Sequence, residues 1–281
     1  MSEPLIEVED ISYAYVAPGA PPRPALVDVS LRLPAGQLVA LVGQNGSGKS
    51  TLARHLNGLL KPDAGRVTVT GIDTRTEAVG RLAARVGYVF QNPDHQLFLP
   101  TVRAEVEWGP RQLGLEGAAL AGRVEETLGR FGLDTISGRH PASLGRGLRR
   151  LTALAAVMAM NPRALVLDEP TGGLDHRRTE ELMAMLRGLV GEGRLVILIT
   201  HEMPLVAAHA DRMVVLRQGR IVGDDTPQAL FDQPELLATT SLDPPEAARL
   251  AQALRPLGMP ARVATPDAFV AACAELLAGR R

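Results

Sequence analysis

Gly43-Gln44-Asn45-Gly46-Ser47-Gly48-Lys49-Ser50-Thr51 is the stretch that decides the fold of this 281-residue chain. It follows the apolar run Leu38–Val42, which predicts a buried strand, and it leads into a helical pattern. The stretch matches G-x-x-x-x-G-K-[ST] in the strand–loop–helix context that this motif requires. Its glycines allow several backbone N–H groups to converge, and the helix N-terminus adds partial positive charge. The stretch therefore predicts a cradle for phosphate groups.

Two side chains of this loop have specific chemical roles in a nucleotide site. The Lys49 ammonium reaches the β- and γ-phosphates, and the Ser50 hydroxyl is a ligand for Mg²⁺. By itself the motif indicates only a P-loop NTPase. For the chain as a whole, ATP and Mg²⁺ are the expected ligands. The nucleotide-binding residues predicted from the loop are Gly43, Gln44, Asn45, Gly46, Ser47, Gly48, Lys49, Ser50 and Thr51.

Polar residues end two further apolar runs. Ala164–Leu167 ends in Asp168 and Glu169, and Leu195–Ile199 is followed closely by His201. Because parallel strands present their carboxyl ends at one edge of a sheet, we expect Asp168 beside the P-loop, where it holds the water shell of Mg²⁺. Glu169 is then placed to orient or deprotonate the water that attacks the γ-phosphate. For His201 we expect a contact with that phosphate.

In this order the motifs resemble the nucleotide-binding domains of ABC ATPases, over about residues 5–233. The resemblance implies that an aromatic residue stacks on adenine, with Tyr15 as the first choice and Tyr13 as the alternative. It also implies that Gln91 is the Q-loop glutamine, which contacts Mg²⁺ and reports the nucleotide state to a transmembrane partner. By the same resemblance Asp175 lies in the D-loop at a dimer interface, and His201 is the switch histidine.

A narrower resemblance lies around the Q-loop and in the tail. Gly87-Tyr-Val-Phe-Gln-Asn-Pro-Asp-His-Gln-Leu-Phe98, Thr101-Val102 and the tail from Leu257 to Asp267 are similar to energy-coupling-factor transporter ATPases, a group that includes cobalt importers. The resemblance implies two ATPases at the cytoplasmic face of the cell membrane. Their partners are a transmembrane coupling protein and a substrate-capturing membrane protein that import vitamins or transition-metal ions. The coupling protein is expected to dock near residues 91–101.

The chain departs from the family at the signature Leu-Ser-Gly-Gly-Gln. Counted back without gaps from Asn161-Pro162, the matching stretch is Leu144-Gly145-Arg146-Gly147-Leu148, and an alignment that begins at Ser143 is the alternative. The missing serine normally donates to the γ-phosphate held by the other subunit. We therefore expect a heterodimer in which a second ATPase completes this chain's site. A homodimer, a low-turnover regulatory subunit and an ABC ATPase not tied to a membrane remain the alternatives.

Composition sets wider limits on function. The residues are 46% hydrophobic, the formal net charge is −1 and the pI is about 6.6, so we expect no nucleic-acid partner. The single cysteine, Cys273, excludes an internal disulfide and suits a reducing compartment. The longest apolar run, Leu151–Met160, is too short to span a bilayer, and the first residues lack the regions of a secretory signal.

The predicted architecture is α/β. A P-loop core sheet is joined by an N-terminal antiparallel β layer that starts with a strand at Ile6–Tyr13, and a helical subdomain is inserted at about residues 92–160. We expect an ATP-binding domain over residues 1–234 and a C-terminal helical extension over 235–281. In that extension a capping box at Asp243–Glu246 predicts one helix. A second helix after Thr265 is predicted to share one apolar face, made of Phe269, Val270, Cys273, Leu276 and Leu277.

Overall fold

The computed structural model describes residues 4–240 and 242–278, which form two sheets and the helices around them. A four-stranded antiparallel sheet has the order β2-β1-β4-β5, and a six-stranded sheet has the order β10-β9-β3-β8-β7-β6. The strands are β1 (Ile6–Tyr15), β2 (Arg23–Leu33), β3 (Leu38–Val42), β4 (Ala64–Val69), β5 (Ile72–Asp73), β6 (Val86–Val89), β7 (Ala164–Asp168), β8 (Leu195–Ile199), β9 (Arg212–Arg217) and β10 (Arg220–Asp225).

Helices cover both faces of the larger sheet and form the C-terminal part. They are α1 (Lys49–Leu56), α2 (Val79–Ala83), α3 (Val102–Gln112), α4 (Gly117–Arg130), α5 (Arg146–Ala159), α6 (His176–Gly191), α7 (Met203–His209), α8 (Pro227–Phe231), α9 (Pro234–Thr240), α10 (Glu246–Ala253) and α11 (Pro266–Ala278). Within the described residues, none of these helices is both long and apolar enough to cross a membrane.

The larger sheet is parallel except at one edge. Strands β9, β3, β8, β7 and β6 pair in parallel, and β10 pairs with β9 in the antiparallel sense. Every residue of β3, β7 and β8 is buried, as expected for parallel strands covered on both faces. In β8 the side chains alternate: Ile197 packs towards α1 and the antiparallel sheet, and Val196 packs towards α3–α6.

The expected α/β architecture is confirmed. The first strand begins at Ile6 as predicted, and α3, α4 and α5 lie within residues 92–160, where helices are expected. The hairpin of β9 and β10 turns through Gln218 and Gly219, which have φ angles of 49° and 77°. Two consecutive left-handed residues make the turn whose twist matches that of paired strands.

Two predictions for the C-terminal helices are wrong. No capping box forms at Asp243–Glu246, because the N-cap of α10 is Pro245 and no side chain caps the helix. In α11, Val270 and Leu277 are 67% and 70% exposed, whereas Ala272 is buried. This helix lies on a narrow apolar cluster that contacts only the stripe formed by Phe269, Ala272, Cys273 and Leu276. Val270 and Leu277 each follow a stripe residue, about 100° further round the helix.

The division of the chain into two domains at residue 234 stays a prediction. The outer ends of the two predicted domains, residues 1–3 and 279–281, lie outside the described part, as does residue 241. Apolar contacts are continuous across the boundary. Leu230 and Phe231 share one buried cluster with Leu237 and Ala264, and this cluster packs against Val215 of β9. This cluster packs the C-terminal helices against the larger sheet.

The narrow stripe of α11 can be tested by a pair of substitutions. We expect Val270→Ser to change the free energy of unfolding by less than about 0.5 kcal/mol, because the side chain is already in water. Met259→Ala, which removes a buried side chain of the same cluster, should cost about 2–5 kcal/mol. Urea unfolding followed by far-UV circular dichroism measures both. An equal loss in the two variants would contradict the observed face.

Candidate active site

The predicted functional side chains follow neighbouring strands at one edge of the larger sheet. The P-loop follows β3, His201 follows β8, Asp168 ends β7, and Gln91 follows β6. These strands are adjacent and parallel, in the order β3-β8-β7-β6, so their carboxyl ends meet. Open α/β sheets bind ligands at this edge.

A cavity of roughly 400 Å³ opens at this edge. It is lined by residues of the P-loop and α1, by the acid pair, by Gln91 and by the start of β2. The lining residues are Tyr15, Arg23, Pro24, Ala25, Asn45, Gly46, Gly48, Lys49, Ser50, Thr51, Gln91, Asp168, Glu169 and Ile199. A triphosphate nucleotide is the class of ligand that the P-loop chemistry requires here.

Backbone geometry explains why the P-loop needs glycine at two positions. Gly43 has a φ of 142°, and a Cβ there would lie 2.2 Å from the Leu216 carbonyl oxygen. Gly48 has a φ of 107°, and its Cβ would lie 2.6 Å from the Ala25 carbonyl oxygen. Both residues therefore allow close backbone packing as well as a left-handed conformation. At Gly46 no atom of the described residues, apart from its own chain neighbours, lies within 4 Å of the place that a Cβ would take, so the space beside this residue is open.

The Lys49 side chain folds back onto the P-loop. Its Nζ donates to the carbonyl oxygens of Gly43 and Gln44, at 2.7 and 3.0 Å. Burial lowers the pKa of Lys49, and the carboxylates of Glu169 and Asp168 oppose that shift. The charged ammonium is thus held between the loop carbonyls and the acid pair. Phosphate oxygens entering the cavity meet this charge.

Asp168 is buried at the end of β7 and has one fixed partner. The Tyr88 hydroxyl of β6 donates to Asp168 Oδ2 at 3.1 Å. Burial raises the pKa of Tyr88, and the neighbouring Asp168 carboxylate raises it further, so this hydroxyl remains a donor. One carboxylate oxygen is thereby oriented, and the side chain lines the cavity.

Glu169 is held in an unusual backbone conformation next to Asp168. Its φ is 49°, in the left-handed region that non-glycine residues seldom adopt, and its N–H donates to the Ile199 carbonyl at 2.9 Å. Such strain is concentrated at functional sites. His201 Nδ1 lies 2.9 Å from Glu169 Oε1, and this hydrogen bond together with the carboxylate charge raises the pKa of His201.

The two candidate tyrosines have different surroundings. Tyr15 lines the cavity, is 41% exposed, and its hydroxyl lies 3.2 Å from Thr51 Oγ1. Tyr13 packs against the core, with its ring edge-on to His55 at a centroid distance of 4.9 Å. Tyr15 therefore lines the cavity, whereas the alternative, Tyr13, packs against the core.

Some predicted residues stand outside the cavity lining. Gly43 and Gln44 present carbonyl oxygens to Lys49, and the Ser47 hydroxyl is buried in the loop without a hydrogen-bond partner. Asp175 is the N-cap of α6, where it accepts from the Arg178 N–H at 2.8 Å. His201 reaches the site through Glu169.

Sequence reasoning missed the contribution of β2 to the cavity. Arg23 pairs directly with Tyr15 in the antiparallel sheet, and Pro24 and Ala25 follow it along the cavity wall. The residues themselves carry no recognisable motif. Only the register between β1 and β2 could have revealed them, and the irregular pairing of these strands hides that register in the sequence.

The divergent signature begins α5. Gly145 is the N-cap, with φ −61° and ψ 156°, and Arg146 is the first helical residue, exposed to solvent. Ser143 belongs to the preceding 3₁₀ turn, and its hydroxyl donates to the His140 carbonyl at 2.8 Å. Gly145, which the gapless alignment matches to the signature serine, is therefore the N-cap of α5, and Ser143 lies two residues before it.

Comparisons with known proteins agree on one family. The family model described as "ABC transporter" matches residues 26–172. The chain is 43% identical to the energy-coupling factor transporter ATP-binding protein EcfA2 of Symbiobacterium thermophilum, over 98% of both chains. Among solved structures, cbiO1 of Clostridium perfringens, described as part of the ABC transporter complex cbiONQ, superposes with a TM-score of 0.74 at 30% identity, covering 89% of this chain and all (100%) of that one. The ATP-binding cassette MJ0796, a dimer with ADP and Pi, has a TM-score of 0.72 at 26% identity and covers 79% of this chain and 98% of its own.

The contact between His201 and Glu169 gives a titration test. In the nucleotide-free protein we expect the pKa of His201 to lie above the ordinary histidine value of about 6.5. The stabilisation from this pair is fully present below that ordinary value and is lost as the pH rises through the raised pKa. NMR titration of the imidazole resonances, assigned with His201→Gln, measures it. Glu169→Gln removes the charge and should lower the pKa, and an unchanged value would contradict the pairing.

Proposed function

This chain belongs to the ABC transporter family as an ATP-binding subunit, and from that premise we propose that it hydrolyses ATP as one of two ATPases of an energy-coupling-factor importer. The proposed substrate is a vitamin or a transition-metal ion, the class implied by the resemblance of the motifs around Gln91 to energy-coupling-factor transporter ATPases. The single observation that carries the ATPase assignment is the cavity shared by Lys49, Asp168 and Glu169.

Lys49, Glu169 and His201 have proposed roles in phosphoryl transfer. Lys49 binds the β- and γ-phosphates, whose negative charge replaces the carbonyl oxygens as its partner. Glu169 orients the attacking water and accepts its proton, and His201 holds the Glu169 carboxylate and contacts the γ-phosphate. Tyr15 stacks on the adenine. Because the reaction needs positioning more than covalent chemistry, the strained but hydrogen-bonded backbone of Glu169 suits the role of a fixed base.

The oxygen donors of the cavity suit Mg²⁺. Ser50, Asp168 and Gln91 line the same cavity, and they offer a hydroxyl, a carboxylate and an amide oxygen. Mg²⁺ accepts few protein ligands and completes its shell with phosphate oxygens and water. When bound, it neutralises charge on the β- and γ-phosphates. Tyr88 leaves one oxygen of Asp168 free to face that water shell.

The loop after Gln91 supports a membrane partner. Phe98 is 67% exposed and meets Trp108, 45% exposed, edge-on at 5.7 Å between ring centroids. The buried Glu105 accepts the N–H groups of Phe98 and Leu99, both at 2.5 Å, and so shapes the loop. An exposed aromatic pair on a held loop suits docking of an apolar segment of the transmembrane coupling protein. On this proposal the chain sits peripherally at the cytoplasmic face of the membrane.

The signature supports a heterodimer over a homodimer. This chain retains Lys49, Glu169 and His201 in its own site, but Gly145 has no hydroxyl to offer to a partner's nucleotide. A second ATPase with a complete signature would supply that hydroxyl to the cavity described here. On this proposal Arg146, which is exposed beside Gly145, would face the partner's phosphates when the two subunits close.

Replacing the proposed base tests the hydrolytic assignment. Glu169→Gln should keep ATP binding and trap the closed dimer, while turnover falls by about 10²- to 10⁴-fold, the usual contribution of a general base. Phosphate release, binding of a fluorescent ATP analogue and size-exclusion chromatography measure the three properties. Glu181→Gln, on the exposed side of α6, is the control and should behave as the wild type. Unchanged turnover in Glu169→Gln would refute the role of Glu169.

Restoring the missing hydroxyl tests the asymmetric pair. In the complex purified from native membranes, Gly145→Ser should raise hydrolysis at the partner's site by up to about 10- to 100-fold, the value of one hydrogen bond to a charged group at the transition state. Single-turnover assays, with this chain's own site silenced by Glu169→Gln, measure the partner's site. Ser143→Ala, which removes the hydroxyl of the alternative alignment, is the control and should have no effect.

Two results would contradict the heterodimer. One is a chain that hydrolyses ATP at the full rate of the complex when purified alone, because a homodimer would then be sufficient. The other is a complex without a second kind of ATPase subunit, as seen by mass spectrometry of the intact assembly. No turnover by this chain's own site within the native complex would instead favour a regulatory subunit.

A further inference from the structure

Arg150 is a buried cation of α5 that joins two loops of the site. It is 5% exposed, and the described residues include no carboxylate within ion-pair distance of it. Its guanidinium donates instead to backbone carbonyls. Nη2 donates to Gln91 at 2.8 Å, and Nη1 donates to Pro170 at 2.8 Å and to Gly172 at 2.5 Å.

The acceptors belong to two separate loops. The Gln91 carbonyl belongs to the loop after β6, and the Gln91 side chain lines the cavity. Pro170 and Gly172 follow the proposed base, Glu169, and lead to the N-terminus of α6. The planar fork of a guanidinium can bridge two such groups at once, whereas the single nitrogen of an ammonium cannot hold both in the same geometry.

The burial of this charge makes the bridge sensitive to movement. Burial lowers the pKa of Arg150, the neighbouring Arg146 adds to this effect, and Glu169 opposes it. Among the residues that the structure describes, none accepts from the Nε atom, so the carbonyl oxygens supply the hydrogen bonding of the group. A shift of either loop would leave a further N–H of a buried cation unpaired, which is unfavourable. The two loops are therefore constrained to move together.

We propose that Arg150 is a positioning residue that couples the loop of Gln91 to the loop following Glu169, so that a displacement of the first loop by the membrane partner moves the catalytic base. The inference rests on the proposed function, because it concerns how hydrolysis responds to the docking surface next to Gln91. It adds a physical link between two loops that are separated in sequence and that this side chain of α5 contacts at the same time.

The test compares variants of the full chain in the complex purified from native membranes. Arg150→Lys keeps the charge but breaks the bridge, so kcat should fall by about 10- to 100-fold, the cost of a misplaced catalytic group, with nucleotide affinity within about twofold. Combined with Gln91→Ala, it should add little further loss, because both variants disable one coupled unit. Arg194→Lys is the matched control. This arginine also donates to a backbone carbonyl, that of Pro162, but it lies at the ends of the strands opposite to the site.

The outcomes separate the inference from the proposed function. A wild-type complex that does not hydrolyse ATP refutes the proposed function. If the wild-type complex hydrolyses ATP, any one of three results overturns the inference. In Arg150→Lys, kcat falls by less than about tenfold, or nucleotide affinity is lost in place of kcat. In the double variant with Gln91→Ala, the loss of kcat equals the product of the two single losses. Arg150→Met replaces Arg150→Lys if the lysine variant does not fold, because an apolar side chain of similar length removes the buried charge. The same outcomes then decide.

Discussion

The parallel pairing of β3, β8, β7 and β6 is the constraint on which the site depends. Each strand is short and almost completely buried, so its hydrogen-bonding groups must be satisfied by the neighbouring strands. Pairing in this order brings four chain segments, distant in sequence, to one edge. If one of these strands were not paired in the sheet, the acid pair or the loop of Gln91 would no longer lie beside the P-loop.

A second feature of the site is that each of its charged groups is held by a neighbouring group of the chain. Lys49 is bound to loop carbonyls, Asp168 to Tyr88, and Glu169 to His201. Such restraint reduces the reorganisation that the site must undergo when charge develops in the transition state. The left-handed backbone of Glu169 costs free energy, and the surrounding sheet supplies the packing that maintains it.

The helix α5 connects this interior to surfaces that a second subunit and a membrane partner would use. Its first turn carries Gly145 and Arg146 on the outside, while Arg150, one turn later, reaches back to the loops of the site. A closing movement against either surface would therefore act on the same helix. On the proposed function, the weak signature affects the partner's site, whereas Arg150 concerns the site of this chain.

The sequence by itself determined the fold class and most of the cavity, because the P-loop, the acid pair after Ala164–Leu167 and the apolar strands are local patterns with strong physical causes. The roles of Gln91, Tyr15 and His201 came from resemblance and remain proposals. Only the tertiary structure decided what depends on contacts between distant segments. The register of β1 and β2 brought Arg23 to the cavity, and packing on one narrow cluster left Val270 and Leu277 of α11 in solvent. Arg150 joined two loops for the same reason, since no local pattern specifies which backbone carbonyls a buried guanidinium will meet.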